Sequence, residues 1–236
     1  MNKKYLAIFF LVGFTLLFGR PVYAVRDRQN ITDWYIQNFE TNIVVNKDSS
    51  LLIEEKITVD CGNLPDKHGI FRVLPTQVNT DNGIIKNPIE LVSITDFNGN
   101  PYKYQTIKDG KTITWKIGDS KIIVNGVNDY KIVYKVKNVI RFGNKISDEL
   151  YWNLSGNFWD IDIDNFSAHI LFPSEINNQN ATVDYYTGPV GSKDKSLATY
   201  SWSGSSLNFV SANKYQPPVF HPGEGITASV IFPKNI

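Results

Sequence analysis

The sequence predicts an all-β protein, an antiparallel β-sandwich of two packed β modules preceded by an N-terminal signal helix. Three observations predict it. Apolar and polar residues alternate with a period of two in one segment after another, as strands with one buried face require. The segments are separated by Asn-Gly and Asp-Gly turn chemistry, which tolerates the positive φ of tight hairpins. Beyond residue 24 no stretch of helical length carries the 3.6-residue apolar period of an amphipathic helix.

The chain opens with Lys3 and Lys4, followed by 14 apolar or small residues from Tyr5 to Phe18. Gly19, Arg20 and Pro21 then break any helix, and Val22-Tyr23-Ala24 sets small residues at −3 and −1 of a cleavage site. This is the secretory signal layout, with cleavage expected after Ala24. The apolar run falls short of the ~20 residues of a membrane-spanning helix.

The strands follow in order. Trp34–Val45 and Leu51–Asp60 flank the turn Asn46–Ser50. In the second, Leu51, Ile53, Ile57 and Val59 share one parity, and Glu54, Lys56, Thr58 and Asp60 the other. Leu91–Phe97 and Tyr102–Ile107 flank Asn98-Gly99-Asn100, and Lys108–Lys111 leads into Thr112–Ile117. Tyr130, Ile132, Tyr134 and Val136 alternate with outward lysines, and Phe166, Ala168, Ile170 and Phe172 repeat the pattern before Pro173. Meandering strands without intervening helices argue for a sandwich. The polar stretch Arg141–Glu149 marks a boundary, giving modules at 30–143 and 148–236.

Loss of residues 1–24 removes Lys3, Lys4 and Arg20 and no acid, leaving 21 basic and 23 acidic side chains and a formal charge of −2. A surface so close to neutral gives no electrostatic reason to expect nucleic acid or an anionic membrane as ligand. Cys61 is the only cysteine, so no intrachain disulfide can form. With no CxxC motif it reads as a small buried hydrophobe rather than a nucleophile.

Chemistry-bearing residues concentrate in Asp148–Asn165, "DELYWNLSGNFWDIDIDN". Asp160, Asp162 and Asp164 alternate with Ile161 and Ile163, which on an extended strand makes an acidic, solvated face. A calcium loop would need glycine at the sixth position and an acid at the twelfth, where this chain has Asn165 and Leu171. His68, His169 and His221 lack zinc-ligand spacing. No nucleophile elbow, phosphate loop or dinucleotide fingerprint occurs. No catalytic residue, metal or cofactor is therefore expected. Asp148, Glu149 and Asp160, close to Trp152 and Trp159, support an alternative reading, a carbohydrate-active domain, lectin-like or a weak glycoside hydrolase, since aromatics line sugar sites and two acids can cleave a glycosidic bond.

Arg72, between Phe71 and Val73 in "HGIFRVLP", requires a carboxylate or carbonyl partner because an unpaired buried charge is prohibitive. The expected tie is to Glu54, Glu55 or Glu149; an anion or peptide-terminus site is the sharper alternative. Trp152, Trp159 and Arg72 are the candidate binding residues.

From about Asp33 to Lys234 the chain resembles the DUF2207 family of predicted bacterial membrane proteins. The resemblance is carried by "DWYIQNFETNIVVNKDSSLLIEEKIT", "HGIFRVLP", "YKIVYKV", "DELYWNLSGNFWDIDI", "YYTGPVGS" and "PGEGITASVIFPK". It implies an exported β domain normally followed by transmembrane helices, with no established activity and hence no catalytic residues to carry over. The resemblance thus points to an extracytoplasmic, non-catalytic module that binds or spaces an unknown protein or cell-envelope component. Its membrane association would come through a span beyond Ile236 or a retained signal.

Overall fold

The computed structural model describes residues 31–80, 83–142, 146–212 and 217–234. The signal segment and its cleavage point at Ala24 lie outside the described residues. Among the described residues the chain is all-β. In order, the strands are β1 (Tyr35–Val45), β2 (Leu51–Asp60), β3 (Gly69–Pro75), β4 (Gln77–Thr80), β5 (Gly83–Lys86), β6 (Ile89–Thr95), β7 (Tyr104–Lys108) and β8 (Thr112–Gly118). They continue with β9 (Val127–Val136), β10 (Ile140–Arg141), β11 (Ser147–Asn153), β12 (Phe166–Leu171), β13 (Thr182–Pro189), β14 (Ala198–Ser203), β15 (Ser206–Ser211) and β16 (Glu224–Pro233).

One layer is a seven-stranded sheet in the order β14-β15-β12-β1-β2-β9-β6. Against it lie a three-stranded sheet, β3-β8-β7, and a four-stranded sheet, β10-β11-β16-β13. Side chains from each small sheet meet the large one: Trp115 of β8 packs on Tyr134 of β9 with ring centroids 5.4 Å apart, and Tyr185 of β13 on Phe209 of β15 at 5.6 Å. The β4–β5 hairpin stands apart from these sheets.

Two-residue alternation determines which side chains enter the core. Along β2, Leu51, Ile53, Ile57 and Val59 are buried, and along β9 so are Tyr130, Ile132, Tyr134 and Val136. In β1 both Tyr35 and Ile36 are buried, which strict alternation forbids; a register shift against β2 between Ile36 and Asn38 rephases the strand. The turns use the residues their geometry demands, Gly99 and Gly110 adopting φ of 90° and 89°.

Two features go beyond the antiparallel meander. β1 and β12 pair in parallel, Phe39 to Val44 beside Phe166 to Leu171. This pair places β12, β14 and β15 in the same sheet as β1, β2, β6 and β9. The ranges 30–143 and 148–236 thus share a sheet, and their buried residues form one continuous cluster. Thr41, on the inward face of β1, donates its hydroxyl hydrogen to the Leu154 carbonyl at 2.9 Å, tying the first strand to the segment after β11.

The acidic face expected of Asp160–Asp164 is not formed. Ile161 and Ile163 are buried as expected, and Asp160 is exposed, but Asp164 is 5% exposed. The segment is not a regular strand: Ile36 N–H donates to the Asp162 carbonyl, Asp164 N–H donates to the Ile36 carbonyl, and Ile163 bridges to Phe220. Backbone held from both sides covers part of the face that an isolated strand would leave wet.

Candidate functional site

Arg72 lies on the inward parity of β3, between Ile70 and Leu74, and Glu55 on the inward parity of β2, between Ile53 and Ile57; both are fully buried. They form a two-pronged ion pair, Arg72 Nε donating to Glu55 Oε2 at 2.8 Å and Nη2 to Oε1 at 2.5 Å. The Tyr134 hydroxyl of β9 donates to the same Oε1 at 2.7 Å. Around the guanidinium stand the Trp159 and Phe39 rings, 5.3 and 5.6 Å away, where cation–π attraction replaces part of the lost hydration. Burial is the largest single influence and works against the Arg72 charge, but Glu55 and Tyr134 together outweigh it and hold the guanidinium above its usual value. Burial raises the Tyr134 hydroxyl well above the ordinary tyrosine value, with Glu55 adding to it. The clasp therefore joins the two layers as a protonated guanidinium and a neutral phenol.

Outside this clasp is a cleft of about 330 Å³. One wall is the end of β3 with β4, namely Leu74, Pro75 and Val78; the other is formed by the adjacent strands β11, β16 and β13 of the four-stranded sheet, with Tyr151, Trp152, Thr227 and Tyr186. The Gly188–Ser192 turn and Asn157-Phe158 close its ends. Val190 is 86% exposed and Phe158 51%. Apart from tyrosine hydroxyls, none of the described residues that line the cleft carries an ionisable side chain. Asn157 fixes one end, its amide donating to the carbonyls of Gly188 at 3.2 Å and Gly223 at 3.0 Å. Gly156 separates cleft from clasp: it adopts φ +82°, and a Cβ there would stand 2.5 Å from Arg72 Nη1.

Of the candidate binding residues, Trp152 lines the cleft. Trp159 is buried beneath it, its indole N–H donating to the Ser155 carbonyl at 3.0 Å. Arg72 is committed to Glu55, one of the three partners foreseen. None of the acids proposed for glycan chemistry lines the cleft. Asp148 pairs with Lys234 at 3.3 Å, Glu149 with Arg141 at 3.5 Å while accepting from the Ser229 hydroxyl, and Asp160 points to solvent. The histidines are dispersed: His68 shares a hydrogen bond with the Ile122 carbonyl, His169 with Asn208 and His221 with Asp162. Among the described residues no group of three or more His, Cys, Asp or Glu side chains is placed to hold a metal ion, and no helix is long and apolar enough to cross a membrane.

Sequence reasoning did not single out Tyr186, Phe158 or the Gly188–Ser192 turn. A signal existed: four segments that carry the family resemblance, those containing Leu74, Tyr151, Tyr186 and Gly225, converge on this one cleft.

The family described as predicted membrane protein (DUF2207), N-terminal domain, matches residues 35–232. The uncharacterized protein YciQ of Escherichia coli K12 is 29% identical over 168 residues, which is 66% of this chain and 25% of YciQ. The chain thus spans about a quarter of the length of that curated relative. Among solved structures, native yeast LTA4 hydrolase superposes with a TM-score of 0.48 at 12% identity, over 85% of this chain and 29% of that one. The M1 zinc metallopeptidase from Deinococcus radiodurans superposes with a TM-score of 0.42 at 10% identity, over 85% and 42%. With nearly all of the sixteen strands of the described residues inside the matched range, this chain belongs to the DUF2207 family of predicted membrane proteins.

Proposed function

We propose that the chain is an extracytoplasmic, non-catalytic recognition module of a membrane-associated protein, holding an uncharged, extended segment of a protein partner in the cleft between β3–β4 and β11–β16–β13. The observation that carries this reading is the lining. Aromatic rings and backbone-rich Gly-Pro turns surround the cleft, and among the described residues that line it none carries a carboxylate, amine or guanidinium. A charged ligand would lose its hydration there without gaining a counter-charge. An apolar or proline-rich segment would bury its surface against rings that need little ordering. Export is supported by the signal layout of residues 1–24.

A hydrolytic role is less well supported, because two acids must face one another across a cleft for glycosidic cleavage. Here Asp148 and Glu149 are engaged by Lys234 and Arg141.

The test is selection of displayed random peptides on the full chain, repeated with Val190→Asp and Phe158→Asp. Uncharged, aromatic- or proline-containing peptides should enrich, and both variants should lose them. Enrichment of charged peptides, or peptides binding the variants equally well, would remove the cleft from consideration. A glycan array read with the same variants covers the alternative: sugar binding that the variants abolish would replace the peptide with a carbohydrate.

A further inference from the structure

A hollow of about 420 Å³ lies on the outward face of the seven-stranded sheet, no strand of which is among the described lining of the cleft. Two neighbouring rows of outward side chains form its floor. Asn38 of β1 stands opposite Thr58 of β2, and Glu40 stands between Ser167 of β12 and Lys56 of β2, with Val210 of β15 beyond Ser167. The register of β1 against β2 shifts between Ile36 and Asn38, an irregularity of the kind that bends a strand and re-aims the side chains beside it. Asn165, Ser211 and Phe97, the last in the turn after β6, also line the hollow. Phe97 is 43% exposed and Val210 50%.

The polar groups of this hollow are only partly used. Among the described residues neither the Asn38 amide nor the Ser167 hydroxyl has a hydrogen-bond partner. Asn165 donates one amide hydrogen to the Gln37 carbonyl at 2.9 Å, which leaves its Oδ1 to accept. The Ser211 oxygen accepts from the Phe166 N–H at 3.3 Å, so its own hydrogen remains to donate. Both the Asn42 amide and Lys56 bond the same Glu40 oxygen, Oε1. Charge is balanced locally. Lys56 lies 3.4 Å from Glu40 and 3.6 Å from Glu54. Lys131 stands opposite Lys56 on β9, and Asp129, opposite Thr58, shares its outward face. His169, next outward on β12, is engaged by Asn208. Among the described residues, then, three acids face two lysines on these rows, and no excess positive charge awaits an anion.

We infer that this hollow binds a neutral oligosaccharide, whose hydroxyls exchange water for Asn38, Ser167, Asn165 and Glu40 while the C–H face of one sugar ring packs on Phe97. A sugar hydroxyl both donates and accepts, and so does this set of amides, hydroxyls and one carboxylate oxygen. The exposed ring supplies the apolar area that hydrogen bonds alone do not. A peptide strand recognised through its backbone needs a sheet edge, and β1, β2, β12 and β15 each have a paired strand on both sides. A charged ligand would find no net counter-charge. The site shares no residue with Asp148, Glu149 and Asp160, and it binds without catalysis.

The test is an array of immobilised oligosaccharides probed with the full chain. Neutral oligomers of glucose, galactose, mannose and N-acetylglucosamine stand beside uronate and sulfated ones, and the strongest binder is then titrated by calorimetry. Neutral oligosaccharides should bind. Asn38→Ala and Phe97→Ala should each weaken that binding about tenfold, and Ser167→Trp, which fills the hollow, should abolish it. Val190→Asp, at the cleft, should leave it unchanged. Circular dichroism melts check that each variant folds, and substitutions on three separate elements guard against one that does not. Absence of neutral oligosaccharide binding, binding to anionic oligomers alone, or equal binding by the hollow variants would overturn the inference. Sugar binding lost in Val190→Asp and kept in Asn38→Ala would place the sugar in the cleft and overturn it too. Peptide selection on the cleft is read separately, so either conclusion can fail alone.

Discussion

Phe158 and Trp159 are neighbours in sequence and opposites in environment. The first is 51% exposed at the end of the cleft; the second is 4% exposed beside the Arg72 guanidinium. Gly156, two residues earlier, has no side chain because the guanidinium occupies that space. The cleft and the clasp are thus two sides of one wall, built by the segment after β11. An aromatic pair in a sequence does not define a site; the face each ring turns to decides whether it carries stability or recognition.

Four experiments would break or sharpen that comparison, in descending order of effect. Dividing the chain within 141–149 should leave neither part with fixed aromatic packing, read as loss of the near-ultraviolet circular dichroism of both fragments. The cause is that β12 has β1 as its partner on one side, and the cut removes it. Independent folding of 148–236 would show instead that the shared sheet is dispensable.

Next, Glu55→Gln or Arg72→Met should each destabilise the domain by about 3–5 kcal/mol in urea unfolding, since one buried charge loses its partner. The triple change Arg72→Met, Glu55→Leu, Tyr134→Phe should recover most of that loss, because no charge or hydroxyl is then left buried alone. Additive losses in the triple variant would mean that the clasp acts through shape rather than charge.

Trp159→Ala should cost about 3–5 kcal/mol as a large core truncation. Phe158→Ala should stay within about 0.5 kcal/mol of the parent yet lose the peptides selected on the cleft. Reversed sensitivities would exchange the two roles. Smallest in consequence for the fold, the Cys61 thiol should resist alkylation in the native state and react fully in denaturant. It is 1% exposed, and burial together with Asp60 raises its pKa, so less thiolate is present at neutral pH.

Much of this architecture was legible in the alternation of the chain. Leu51–Val59, Tyr130–Val136 and Phe166–Phe172 turned the expected side chains inward, because on a strand the side of every residue follows from the side of its neighbour. The same rule carried more than was drawn from it. Glu55 shares the parity of Ile53 and Ile57, so an acid on the oily face of β2 already pointed to a buried partner, and Arg72 holds the equivalent place between Ile70 and Leu74. Which carboxylate met the arginine was not legible, as Glu54, Glu55 and Glu149 were all available to a reader of the sequence. The acidic face of Asp160–Asp164 failed for a related reason: periodicity assumes a free strand, whereas Ile36 and Phe220 hold this segment from both sides.

By itself, then, the sequence determined the fold class, the inward face of the main strands and the need for a partner to Arg72. These follow from local alternation and from the cost of an uncompensated charge, both of which act within a few residues. Only the tertiary structure decided the parallel pairing of β1 with β12, the choice of Glu55 and the meeting of four distant segments around one cleft. Those depend on which strands lie side by side, a long-range selection made by packing that the spacing of residues along the chain does not encode.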